Sequence, residues 1–272
     1  MTVRQMNFPR PAYQLRTPSF AWVPGFSRDF GIVLLVIGVY FLGRGVAPTR
    51  IGFSMAVTEH IVAFERSLHI FWEPEVQEAS IRWHAVQEVA NYTYAYLHFP
   101  VLAVVGAWLW FRGRDRFVFM RNVMFVSMVI GLVFYYAVPA APPRLLAAHG
   151  MDLGFTDTVF GGNTSVEYAQ PSLILNEYAA IPSFHFGWIA MASAAIWINT
   201  SNRWARFFAV ALSLVMTWAI VASANHFFFD MALGGLVVAF SWYIAARIER
   251  RQHSRRAGEA PVELRRELPR AA

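Results

Sequence analysis

The chain has 272 residues, of which 57% are hydrophobic and 15% charged, where an average soluble domain carries about a quarter charged residues. It holds no cysteine, which excludes disulfides, thiolate metal sites and a cysteine nucleophile. Its formal net charge is +6 and every basic residue is arginine, a surplus suited to cytoplasmic loops and anionic lipid head groups. No aromatic and basic residues interleave on a soluble module, so no nucleic-acid partner is expected.

Residues 1–28 form a tail carrying Arg4, Arg10, Arg16 and Arg28. Pro11, Pro18 and Pro24 interrupt it, and no apolar core precedes a cleavage-like site. It does not read as a signal peptide, so the first apolar helix is expected to be retained. A bilayer-spanning helix needs about 20 mostly apolar residues. Six spans are predicted in the membrane domain, 29–248: from about Phe30 to Val46, Val89 to Phe111, Phe117 to Val138, a short one from Ser183 to Ile198, then Trp204 to Ser223 and His226 to Ala246. The segment from Pro48 to Glu88 alternates apolar and charged residues at helical spacing. It predicts interfacial amphipathic helices, with Glu59, Glu65, Glu73, Glu75, Glu78 and Glu88 mostly on a solvated face. The segment from Pro139 to Pro182 is rich in Gly, Pro and Asn, and predicts a long loop with short helical turns. Residues 249–272 read as a charged, disordered tail. The expected fold is all-α: a polytopic membrane protein of six transmembrane helices with amphipathic helices on the outer side.

Arginine placement orients it. The N-terminal tail, the turn with Arg112, Arg114, Arg116 and Arg121, the turn with Arg203 and Arg206, and the C-terminal tail all fall on one side of six spans. The positive-inside rule makes that side cytoplasmic, with both termini on it. Three polar clusters then share the outer side: Ala141-Pro142-Pro143-Arg144, Ile181-Pro182-Ser183-Phe184-His185-Phe186-Gly187, and Asn225-His226-Phe227-Phe228-Phe229-Asp230.

Polar groups at membrane helices are costly and mark function. His226 and Asp230 are four apart, on one face of a helix, where a bond from the imidazole to the carboxylate would fix the tautomer and sharpen the free nitrogen as a nucleophile. Ser183 after Pro182 reads as an N-cap, which puts His185 in a first turn that favours an anion. Arg144 offers a fork of donors to phosphate oxygens. Two histidines, a carboxylate, a helix N-terminus and an arginine suit phosphoryl transfer through a phosphohistidine. Tyr94 and His98, on one face near the outer end of the second span, are candidates for head-group binding, as is Asn225. No ligand-spaced set for a metal is found beside His185, His226 and Asp230.

The two histidine clusters resemble those of the type 2 phosphatidic acid phosphatase superfamily, and in particular a membrane branch similar to inositol phosphorylceramide synthase. The resemblance covers roughly 117–246. It implies that His226 is the nucleophile, that Asp230 orients it, and that His185 protonates the leaving group and then activates the acceptor. It also implies that Ser183 and Arg144 bind phosphate and that the reaction needs no metal or cofactor. Two cations of the soluble-phosphatase-like pattern are absent: Ala137 stands where it has lysine, and Ile220 where it has arginine. Those gaps favour head-group transfer over simple hydrolysis. The expected substrate is a membrane lipid carrying a phosphate, diphosphate or phosphodiester (phosphatidic acid, polyprenyl or inositol phospholipid), with water, a polyol or a sugar as acceptor. The expected site lies at the outer face of the cell membrane. The alternatives are a vanadium haloperoxidase, which six spans and the missing lysine disfavour, and a non-catalytic lipid transporter or lipid-binding protein. Donor, acceptor and oligomeric state stay open.

Overall fold

The computed structural model describes residues 23–161, 164, 166, 171 and 173–259. The tail before residue 23 and the arginines after residue 259 lie outside the described residues. The described chain is helical: α1 Val23–Gly45, α2 Ile51–Ser67, α3 Glu73–Ile81, α4 His84–Tyr92, α5 His98–Arg112, α6 Arg114–Ala137, α7 Phe184–Asn199, α8 Arg203–Ala222 and α9 Phe228–Glu259. Among the described residues β-pairing is limited to one isolated parallel bridge, Ala140 with Ala179.

Among the described residues five helices are long and apolar enough to cross a bilayer: Pro24–Gly45, His84–Arg112, Arg114–Ala137, Arg203–Ala222 and Phe228–Gln252. The predicted fourth span is present as α7, but its 16 residues cover only about 24 Å at 1.5 Å per residue, short of a hydrocarbon core of about 30 Å. The predicted second span begins earlier, at His84, because α4 and α5 form one rod joined by a π-turn at Thr93–Leu97. Pro100 explains the widened turn: its ring cannot sit against the carbonyl of Tyr96, four residues back. α9 runs on to Glu259, so 249–259, expected in a disordered tail, is helical.

α7 is the inner post of the bundle, packed on α5, α8 and α9. Its buried face carries Phe184, Trp188, Met191, Ala192 and Ala195. Trp188 is 2% exposed and its indole N–H donates to Ser127 Oγ of α6 at 3.0 Å, so the bulk is buried with no unpaired donor. Small residues bring α7 and α9 together: a Cβ on Gly187 would stand 2.9 Å from the Gly234 carbonyl oxygen, and one on Gly234 would strike the Ser183 carbonyl. Close backbone approach of this kind lets two membrane helices share one site at their ends.

One end of the bundle joins the start of α1 to the start of α6 through Asp29 and Arg114, at 2.6 and 2.7 Å, and the start of α6 to the end of α7 through Arg116 and Asn199. The other end gathers the starts of α7 and α9, the end of α6, α2, α3 and the long loop. That loop takes short 3-10 turns at Pro143–Leu145 and Ala147–His149, as its composition predicts. α2 and α3 lie over the start of α9. Here the structure corrects the sequence reading: Glu65 and Glu73 are fully buried, not solvated.

Candidate active site

α8 ends in a sharp turn. Ala224 adopts φ 53°, left-handed backbone that costs a non-glycine residue about 1–2 kcal/mol. The turn is held from several directions. The Asn225 and His226 N–H groups both donate to the Ile220 carbonyl, at 3.0 and 3.2 Å, and the Arg144 N–H donates to the Ala224 carbonyl at 2.9 Å. His226 therefore stands in the turn before α9, not on the helix. Asp230 still reaches it. Its Oδ2 accepts the Phe227 N–H at 3.0 Å and lies 3.3 Å from His226 Nδ1. Asp230 is fully buried and His226 is nearly so. A carboxylate can only accept, so it holds the ring proton on Nδ1 and leaves Nε2 with its lone pair.

His185 occupies the first turn of α7, and its ring centre lies 5.6 Å from that of His226. Its Nε2 is buried with no hydrogen-bond partner. The rings of Tyr94 and His98 flank it at 4.5 and 4.4 Å. Tyr94 lies in the π-turn and His98 opens α5, so that irregular turn delivers both to the site. Ser183 stands at the N-cap position of α7, but its hydroxyl makes no capping bond. It is fully buried, its Oγ is unpartnered, and its main-chain N–H donates to the Asp230 carbonyl at 3.0 Å. That backbone bond ties the two histidine-bearing turns together.

Arg144 is 7% exposed and every corner of its guanidinium is engaged. Nε donates to Asn225 Oδ1 at 3.1 Å, one Nη to Asp157 at 3.0 Å, the other to Glu177 at 2.8 Å, and the Phe160 ring lies 4.2 Å away. Asn225 spends the rest of its amide on Ser223, at 3.0 Å to both the carbonyl and the hydroxyl. It acts as a support for Arg144 and the turn.

Arg144, His185, His226, Tyr94, His98 and Asn225 line one cavity of about 80 Å3; Ser183 is set behind its wall. The same cavity contains Arg44, Glu177 and the hydroxyl pair Tyr40–Tyr135, whose oxygens are 3.0 Å apart. Sequence reasoning missed Arg44. It closes α1 and donates to the carbonyls of Ile174 and Asn176 at 3.3 and 2.9 Å, while the Asn176 amide donates back to the Arg44 and Ala47 carbonyls. A signal existed: Arg44 stands at the end of the first apolar helix opposite the arginine-rich turns, where the positive-inside rule expects few arginines. Ala137 and Ile220, in the places of the missing cations, do not line the cavity. Among the described residues no group of three His, Cys, Asp or Glu is placed to hold a metal ion.

A model of the PAP2 superfamily matches residues 59–245, more than half of the chain, and that span contains Arg144 and both histidine clusters. No curated protein and no solved structure matches. The chain belongs to the PAP2 superfamily, whose membership points to phosphatase or phosphotransferase chemistry on phosphate esters.

Proposed function

We propose that this protein is a membrane lipid-phosphate phosphatase or phosphotransferase that works through a phosphohistidine at His226. The observation that carries the lipid assignment is a second cavity that shares part of its wall with the first. An apolar cleft of about 470 Å3 runs among α1, α5, α6 and α7, and Phe41 and Phe99 line both it and the polar cavity. Along α1 the cleft runs from Phe41 to Phe30, about 16 Å at 1.5 Å per residue, close to one leaflet of a core about 30 Å thick. A lipid whose phosphate lies between Arg144 and Arg44 would have an apolar path of leaflet depth for its chain.

In this reading Nε2 of His226 attacks phosphorus and forms the N–P bond as the bond from phosphorus to the lipid oxygen breaks. His185 gives that oxygen its proton, so the lipid leaves as an alcohol and His185 remains as a base. It then takes a proton from the acceptor hydroxyl, which attacks the phosphohistidine and restores His226. Arg144 and Arg44 balance the charge on the phosphoryl oxygens. Ser183 joins them if substrate reaches its unpartnered hydroxyl. Tyr94 and His98 hold His185 and border the head group. α7, short but enclosed by protein, is read as a sixth crossing, which puts both termini in the cytoplasm and the site at the outer face of the cell membrane.

The acceptor is water or a polyol. Glu177, a carboxylate in the cavity wall that can accept from hydroxyls, favours a polyol. Purified protein, given labelled phosphatidic acid, polyprenyl phosphate and an inositol phospholipid with and without free polyol, decides between them. The transferase reading expects labelled product only when acceptor is present. Free phosphate released at the same rate without acceptor would make the protein a phosphatase.

A further inference from the structure

Two buried carboxyls outside the cavity sit on the helix that follows the nucleophile. Glu65 Oε1, from α2, accepts the Phe229 N–H at 2.6 Å; Glu73 Oε1, from α3, accepts the Phe228 N–H at 2.8 Å. These are two of the N–H groups a helix start leaves without intrahelical partners. Asp230 covers a third, that of Phe227. Both glutamates are fully buried, and the second oxygen of each, Oε2, has no donor. Two adjacent buried carboxylates, each with an empty acceptor, would repel one another. One proton between them satisfies both oxygens and removes one charge.

We propose that Glu65 and Glu73 share one proton, as acid and carboxylate, and that this pair clamps the start of α9 and so positions His226. The pair touches no reacting atom, so both are positioning residues, and the proposal rests on the reading of His226 as nucleophile.

The surroundings fit. Burial, then the neighbouring Glu73, pushes the Glu65 carboxyl from its ordinary 4.5 up to about 9; burial raises Glu73 as well, but there the bond from Glu65 works the other way and lowers it. Glu65 is thus the donor and Glu73 the acceptor. The ionisable groups facing the pair are few. Asp230 on α9 raises both. On α2, Glu59, His60 and Arg66 are exposed, the last over the Phe71 ring; on α3, Glu75 and Glu78 are exposed. α4, packed on α3, contributes exposed His84 and half-buried Glu88. α8 carries Arg203 and Arg206 at the end remote from the turn it shares with α9.

The test is Glu65→Gln, whose amide can donate to Glu73 at any pH. In wild type, turnover should fade as pH rises through about 9, when the shared proton leaves. In Glu65→Gln it should stay within about threefold of wild type near neutrality, with the alkaline fall moved up or lost. Glu65→Ala, which uncaps Phe229, should lose tenfold or more in kcat with little change in KM. An alkaline limb in Glu65→Gln identical to that of wild type would overturn the clamp. So would a folded Glu65→Gln with turnover reduced as far as Glu65→Ala. Thermal unfolding reads the same pair without activity. The unfolded acid ionises near 4.5 and the folded one near 9, so the native state holds one more proton between those values. Stability therefore falls as pH rises through that window and is level above it. Tm of wild type should drop from about pH 6 to about pH 9 by more than Tm of Glu65→Gln; equal drops refute the shared proton even if no substrate is found. Inactive wild type with the expected Tm difference would instead count against the phosphohistidine reading alone.

Discussion

Asp230→Asn is expected to lower kcat by about four orders of magnitude while leaving the protein folded. The amide has the volume of the carboxylate, but Oδ2 serves both the Phe227 N–H, at 3.0 Å, and His226 Nδ1, so an amide that turns its N–H to Nδ1 also gives up the Phe227 bond. What changes is the face turned to His226. Asp230 Oδ2 accepts from Nδ1, which keeps the imidazole lone pair on Nε2, toward the cavity. An amide N–H offered to Nδ1 favours the other tautomer and puts a hydrogen on the atom that must attack phosphorus. KM should change little, because Asp230 is buried and outside the cavity lining. Single-turnover rates and a melting curve check this together. A variant with near-normal turnover would show that His226 does not act through an oriented Nε2.

Arg144→Ala is expected to remove activity by about three orders of magnitude, and to cost stability as well. The arginine neutralises Asp157 and Glu177. Breaking a buried pair from one side typically costs about 3–5 kcal/mol. The expected loss is lower, about 2 kcal/mol, because Glu177 is 37% exposed and screened by water. Two uncompensated carboxylates would then repel an arriving phosphate, so KM should rise as kcat falls. Arg144→Lys should recover part of the stability and little of the activity, since a single ammonium cannot serve Asn225, Asp157 and Glu177 and grip phosphate. Combining Arg144→Ala with Glu177→Ala should restore stability toward wild type without restoring turnover. Full activity in Arg144→Ala would leave Arg44 as the phosphate ligand.

The parts of the site that were legible in the sequence are those that local rules control. His185 and His226 lie at the starts of helices that counting spans puts at one end, and Arg144 follows a helix that exits at that end. The cavity gathers all three. What escaped depends on contacts between distant segments. Glu65 lies on the buried stripe of α2 with Ser54, Thr58, Ile61 and Val62, at helical spacing, yet a glutamate among apolar residues at an interface reads as solvated until α9 is seen above it. Arg44 sits 100 residues before Arg144 in no motif, and the loop that turns it inward lies beyond residue 170. Asn225 reads as a head-group ligand because it adjoins His226, but its amide is committed to Arg144 and Ser223. Ser183 fits the N-cap pattern by position, while the close approach of Gly234 buries it away from that task. α7, by contrast, was legible: Phe184–Asn199 lies within a residue of the predicted Ser183–Ile198, although α5, α8 and α9 cover it.

The most direct test of the central claim is to quench purified protein during turnover of a lipid substrate labelled in its phosphate, in the presence of EDTA, beside His226→Ala. Wild type should carry acid-labile, alkali-stable label, chased off by acceptor at the rate of turnover, and His226→Ala should carry none. Equal product formation by wild type and His226→Ala would contradict that claim and return the protein to the class of lipid carriers or binding proteins.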